Sequence, residues 1–189
     1  DDISIVVKKC SGCKEAAKQF INATGEEENY LYVDLDRTPE LRDEWFKSLT
    51  EDGIVMPQEK TDHVSFWIQE MEAWFLKQPQ AIELWAEDEG LTRKNGQDMP
   101  LSEHPSIKDK DIEHLQQKAS FLMGVILRQV FAPQEKAKKS ASGKVRDLKY
   151  GKLRHAPGII AHLNPSELIN KDRELESFCD KVQRSNTCK

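Results

Sequence analysis

The chain has 189 residues, of which 38% are apolar, 32% charged and only 7% aromatic. That length fits about one ordinary domain with a small appendage, and it is enough to bury a real core. The net charge of −5 excludes a polycation, and no run approaches the ~18 apolar residues that a membrane-spanning helix needs.

Ile3–Val7 is a β-branched run that predicts a buried strand, broken at Ser11-Gly12. Helical spacing over Glu15–Ile21 ends at Gly25, and Tyr30–Val33 predicts a second strand that runs into Asp34-Leu35-Asp36. Pro39 opens a helix with Leu41, Trp45 and Leu49 on one face, and Val64–Ile68 predicts a third strand. Strand alternating with helix is the pattern of an α/β layer on a mostly parallel sheet. The next predicted helix covers Glu70–Leu76, Pro79 marks its end, and another starts near Gln80. Gly90–Ser106 reads as a long connection, and Asp109–Val130 as the strongest helical segment (Ile112, Leu115, Ala119, Leu122, Ile126, Val130). A helix from about Tyr150 and a last one capped by Asn164-Pro165 complete the chain. The expected organisation is an α/β core over 1–106 and a helical part over 107–189 packed on it, with a basic flexible loop around 132–147.

Charge is unevenly spread. Ala132–Arg154 holds eight basic residues against two acidic ones, a net of +6 that leaves −11 for the remainder. Such a patch suits phosphate or nucleic-acid contact, although a solvated lysine loop has the same composition.

Three stretches carry candidate chemistry. Asp34 and Asp36, two apart at a strand end, lie on one side of an extended chain and suit an oxygen-seeking ion such as Mg²⁺ or Mn²⁺. Gln69, Glu72 and Trp74, at a strand-to-helix junction, are expected to aim toward the same edge as Asp34 and Asp36, where Glu72 would orient a metal or a water, although the pattern also suits Trp74 as a core residue. Tyr150-x-Lys152-x-x-His155 puts a lysine and a histidine on one helix face. Lysine stabilises developing negative charge, and histidine transfers protons near neutral pH. Cys10 and Cys13 form a C-x-x-C at a strand-to-helix turn, the position of a redox pair, and with Cys179 and Cys188 they also allow a Cys₄ zinc site. Four cysteines are too few for a disulfide scaffold, so the cytoplasm is the expected compartment.

The order D-x-D, then Q-x-M-E-A-W-x-L over Gln69–Leu76 followed by Pro79, then Y-x-K-x-x-H and Asn164-Pro165-Ser166, resembles an uncharacterised bacterial Toprim-related family. That family occurs in anti-phage defence loci and beside ATPase genes, and the resemblance runs from about Ile3 to Val182. It implies a Toprim-like fold in which Asp34 and Asp36 match the Mg²⁺-binding aspartates of topoisomerases, primases and overcoming-lysogenization-type nucleases. Toprim domains begin with a strand bearing Glu-Gly. Here Lys9–Cys13 aligns with the turn after the second strand, so that first β-α unit is expected either to precede Asp1 or to have been lost. If it was lost, Glu72 is the nearest substitute.

The reading that follows is a Mg²⁺-dependent nuclease-type effector of a defence system. Asp34 and Asp36 are its metal ligands, and Glu72, Lys152 and His155 its catalytic groups. Gln69, Lys149, Tyr150 and Arg154 contact the phosphate backbone of a nucleic acid. The alternative is a non-catalytic Toprim-like module that binds a partner ATPase or a nucleotide.

Overall fold

The computed structural model describes residues 7–8, 10–24, 28–133 and 147–187. All but the last residue of the expected Ile3–Val7 strand, and most of the basic stretch of 132–147, lie outside them. The chain divides into two units: residues 1–68 with 172–189, and residues 69–171. The boundaries therefore fall at Ile68/Gln69 and Lys171/Asp172, where the sequence had suggested one at 106/107.

The first unit is built on two parallel strands, β1 (Leu31–Asp34) and β2 (Val64–Trp67), with Leu31 opposite Val64 and Val33 opposite Phe66. Alternation sends Leu31 and Val33 to one face, where they are buried with Phe66, Ala17 and Phe20 of α1 (Cys13–Ile21) and Leu49 of α2 (Arg42–Glu51). Lys60, on the short helix α3 (Gln58–Thr61), donates to the carbonyls of Phe20, Ile21 and Ala23, tying off the end of α1.

The other face of the sheet carries an aromatic cluster. Tyr32 packs on Trp67 with ring centroids 4.6 Å apart, and on Phe178 of α9 (Arg173–Thr187) at 5.2 Å. Glu174 of α9 also serves the edge of β2. Its carboxylate accepts the backbone N–H of Phe66 at 3.4 Å and binds the Arg42 guanidinium at 2.6 and 2.7 Å. An edge amide that would otherwise lack a strand partner thus finds a side-chain acceptor.

The second unit is mainly helical: α4 (Glu72–Lys77), α5 (Pro79–Asp88), α6 (Ala119–Val130), α7 (Lys152–Ile160) and α8 (Pro165–Lys171). An antiparallel pair, β3 (Leu91–Arg93) with β4 (Phe131–Pro133), adds a small sheet. Its core gathers Phe75, Leu76, Ile82, Trp85, Met123, Ile126, Leu127 and Ile159, all nearly inaccessible to solvent. Helices α5 and α7 meet closely at Gly158, where a Cβ atom would fall 2.6 Å from Cδ1 of Trp85. Gln78 closes the start of α8 by accepting from the Asn164 N–H at 2.9 Å and donating to its carbonyl at 2.8 Å. Asn164 in turn caps α8 through its side chain, as its sequence position predicts.

Two expectations need correction here. The Asp109–Val130 segment is not one helix, because α6 starts only at Ala119. Ile112 lies in a short 3₁₀ turn, while Leu115 and Lys118 have extended backbones. Gln69 donates to the carbonyls of Glu113 and Leu115, groups that a continuous helix would use internally. Both apolar residues still pack on the core, so the periodicity reported burial correctly and helix extent wrongly. Likewise Gly90–Ser106 is not a bare connection. It contains β3 and a 3₁₀ turn at Leu101–Glu103, held by Arg93 on the carbonyls of Gln97 and Met99 and by Glu83, which accepts the Leu101 N–H and pairs with Arg93.

Candidate functional site

In the second unit, the chain leaves Gln69 in a left-handed conformation (φ 67°) and enters α4 at Glu72, whose side chain has no solvent exposure. A carboxylate so placed needs partners, and two come from about eighty residues further along the chain. Tyr150 Oη donates to Glu72 Oε1 at 2.9 Å. Lys152 Nζ stands 3.2 Å from Glu72 Oε2, an ion-pair contact without hydrogen-bond angles. Burial first, then the Glu72 charge and hydrogen bond and the Glu70 charge, push the Tyr150 phenol far above its usual range. It stays protonated and acts as a donor.

A second carboxylate stands two residues earlier. Glu70 Oε2 accepts the backbone N–H of Ser120 at 2.9 Å in the first turn of α6, while Oε1 lies 3.6 Å from Lys118 Nζ. Glu70, Glu72, Gln117, Lys118, Ser120, Phe121, Tyr150 and Lys152 line one open pocket of about 670 Å³. The carboxylates form its buried part, whereas the Lys118 and Lys152 side chains are 58% and 47% exposed at its rim. Glu72 therefore lies beneath Lys152, whose ammonium is the more accessible partner at the pocket rim.

His155 takes a different place from the one expected for proton transfer or phosphate binding. It is buried one turn along α7, where Nδ1 accepts the Gly151 N–H at 2.9 Å. Its ring packs against Trp85 and Tyr150, with centroids 5.4 and 5.9 Å away. Burial, and then the neighbouring Arg154 charge, hold its pKa below the usual imidazole range, so the ring is neutral at pH 7. It fastens the start of α7 and backs Tyr150. Gln69 is engaged with the two loop carbonyls described above, and Lys149 and Arg154 are exposed on the segment that carries Tyr150 and Lys152.

Asp34 and Asp36 belong to the first unit. Asp34 closes β1 half-buried, and Asp36 follows exposed, with φ 57°. Their charges reach the Cys13 thiol, whose pKa rises through burial first and then through both aspartates, against a lowering hydrogen bond from Trp45. A thiol held protonated is the reverse of the low-pKa nucleophile that a redox C-x-x-C requires. Cys10, Cys13 and Cys179 are free thiols, and Cys188 lies outside the described residues. Among the described residues no group of three or more His, Cys, Asp or Glu side chains converges to hold a metal ion.

The sequence reading brought out Glu72, Tyr150 and Lys152, which the fold brings together, but it missed Lys118, Ser120 and Phe121. No local signal marked them, because the start of α6 that places them is fixed by Glu70, fifty residues away. No helix of the described residues is long and apolar enough to cross a membrane. Comparison with protein-family models, curated proteins and solved structures gives no match.

Proposed function

We propose that the chain acts on phosphodiesters of nucleic acid, as a Toprim-like nuclease-type effector of a bacterial defence system. The observation that supports this reading best is the pair of half-exposed ammonium groups, Lys118 and Lys152, each placed against a buried carboxylate at the rim of one pocket. Lysines steadied in this way suit a phosphate group, whose developing negative charge they stabilise. Tyr150, kept protonated, holds Glu72 in place beneath Lys152.

Asp34 and Asp36 fit Mg²⁺ or Mn²⁺ as a hard, two-carboxylate donor set, which such ions complete with water and substrate phosphate. When bound, the ion would polarise a phosphate oxygen.

A second reading has a specific observation in its favour. Glu72, the nearest replacement for the Toprim glutamate, is fully buried beneath Tyr150 and Lys152 and so withheld from substrate, which favours a non-catalytic module that binds a partner ATPase or a nucleotide. Incubating the full chain with labelled single- and double-stranded DNA and RNA, in Mg²⁺, Mn²⁺ or a chelator, separates the two. The nuclease reading expects metal-dependent cleavage that Lys152→Ala, Asp34→Asn and Asp36→Asn each abolish. Retained binding without cleavage in any metal would leave the non-catalytic module.

A further inference from the structure

Phe121 is a pocket residue whose presence phosphate binding does not explain. The buried stripe of α6 runs through Ala119, Met123, Ile126, Leu127 and Val130. Phe121 lies off that stripe and is 56% exposed, with its ring at the pocket that Lys118 and Lys152 rim. A single exposed apolar side chain needs no explanation by itself. One beside two cationic side chains is different, because an aromatic face next to a phosphate-binding group is the pairing that reads a nucleotide.

Electrostatics point the same way. Lys118 stands against Glu70 and Lys152 against Glu72, so within the pocket the two positive charges are matched by two negative ones. Duplex binding along its phosphates draws its affinity from many uncompensated cations and the counterions they displace. Among its described lining residues the pocket is charge-balanced, so an exposed aromatic ring there adds a contact that phosphate attraction alone does not supply. In a duplex the base faces are covered by neighbouring bases, so only an unpaired base can lie on Phe121.

We infer that the pocket takes an unpaired nucleobase together with its phosphate, the base stacked on Phe121 and the phosphate met by Lys118 and Lys152. This rests on the phosphate reading of the pocket given above and names the substrate class: single-stranded nucleic acid or a free nucleotide, in preference to duplex.

Binding in a chelator tests the inference apart from catalysis. The full chain is titrated into a labelled 20-nucleotide single strand of mixed sequence, and the complex is then challenged with the same strand as duplex or with adenosine monophosphate. The single strand should compete far better than the duplex, and competition by the mononucleotide distinguishes a nucleotide site from one that needs a strand. Phe121→Ala should weaken binding about tenfold or more, the range of a lost base stack, while Phe121→Trp retains it. The dependence of affinity on salt should be the same in Phe121→Ala as in the unaltered chain, since no phosphate contact is removed. The inference is overturned if Phe121→Ala binds the strand normally or if duplex competes equally. If Lys118→Ala and Lys152→Ala weaken binding while Phe121→Ala does not, the stacking role alone falls. If none of the three matters, or the unaltered chain binds no strand and no nucleotide, the phosphate reading of the pocket falls with it.

Discussion

Lys152 illustrates how misleading surface exposure is at the scale of one residue. Its side chain is 47% exposed, which by itself suggests a substitution of little consequence, within about 0.5 kcal/mol. Its ammonium, however, is the counter-charge of a carboxylate with no exposure at all. Removing it strands that carboxylate with Tyr150 alone, so Lys152→Ala should lower the unfolding free energy by about 1–3 kcal/mol at pH 7. Adding Glu72→Gln should restore part of the loss, because an amide still accepts the Tyr150 hydrogen bond and carries no charge. Urea unfolding of the two single variants and the double variant measures the coupling, and purely additive losses would contradict the pairing. Sequence spacing alone brought Lys152 and His155 forward as a pair on one helix face. It could not tell that one reaches the pocket rim while the other turns inward to Trp85, because that depends on which side of α7 meets α5.

Among the elements, α7 depends on a titratable group for its first turn. The Gly151 N–H donates to His155 Nδ1, which can accept only while that nitrogen is unprotonated. Burial lowers the pKa of His155, and it does the same for buried His104, whose Nδ1 accepts the Ser106 N–H. The sign follows. Below about pH 6.5 the unfolded chain takes up these protons before the folded one does, so stability falls as pH drops from about 6.5 towards the lowered folded values and is unaffected above that range. Urea midpoints should therefore decline from pH 7.5 to pH 5.5. His155→Asn, which keeps an acceptor near the Nδ1 position but does not titrate, should show a shallower decline, and an unchanged slope would count against this role for His155. The strands β1 and β2, the helix start at Pro79 and the Asn164 cap were all legible in the sequence, since each rests on local pattern or capping chemistry. The true start of α6 was not, because it is set by Glu70 and Gln69, some fifty residues away.

For the whole molecule, the chain order conceals the division into units. Residues 69–171 form a contiguous unit, whereas the first unit is assembled from both ends of the chain, 1–68 and 172–189. Neither junction has the Gly-, Pro- or Ser-rich composition of a linker: β2 passes through Ile68 into Gln69, and α8 reaches α9 across the single residue Asp172. Composition therefore could not reveal the boundaries, and reading along the sequence favoured a cut inside the second unit. The two parts differ in self-sufficiency. Residues 69–171 hold a complete set of core side chains, from Phe75 on α4 to Ile159 on α7, together with all the residues that line the pocket. Residues 1–68 without the C-terminal segment lack Phe178, which packs on Tyr32, and Glu174, which accepts the Phe66 N–H and binds Arg42. The two described strands, stripped of one covering helix, are marginal in water. Expressed alone, residues 69–171 should give a helical circular dichroism spectrum and a cooperative urea transition. Residues 1–68 alone should give no cooperative transition and should gain one only when residues 172–189 are joined back through a flexible linker. A cooperative transition in 1–68 alone would mean that α9 is dispensable, and its absence in 69–171 would mean that the second unit cannot hold its core without the first.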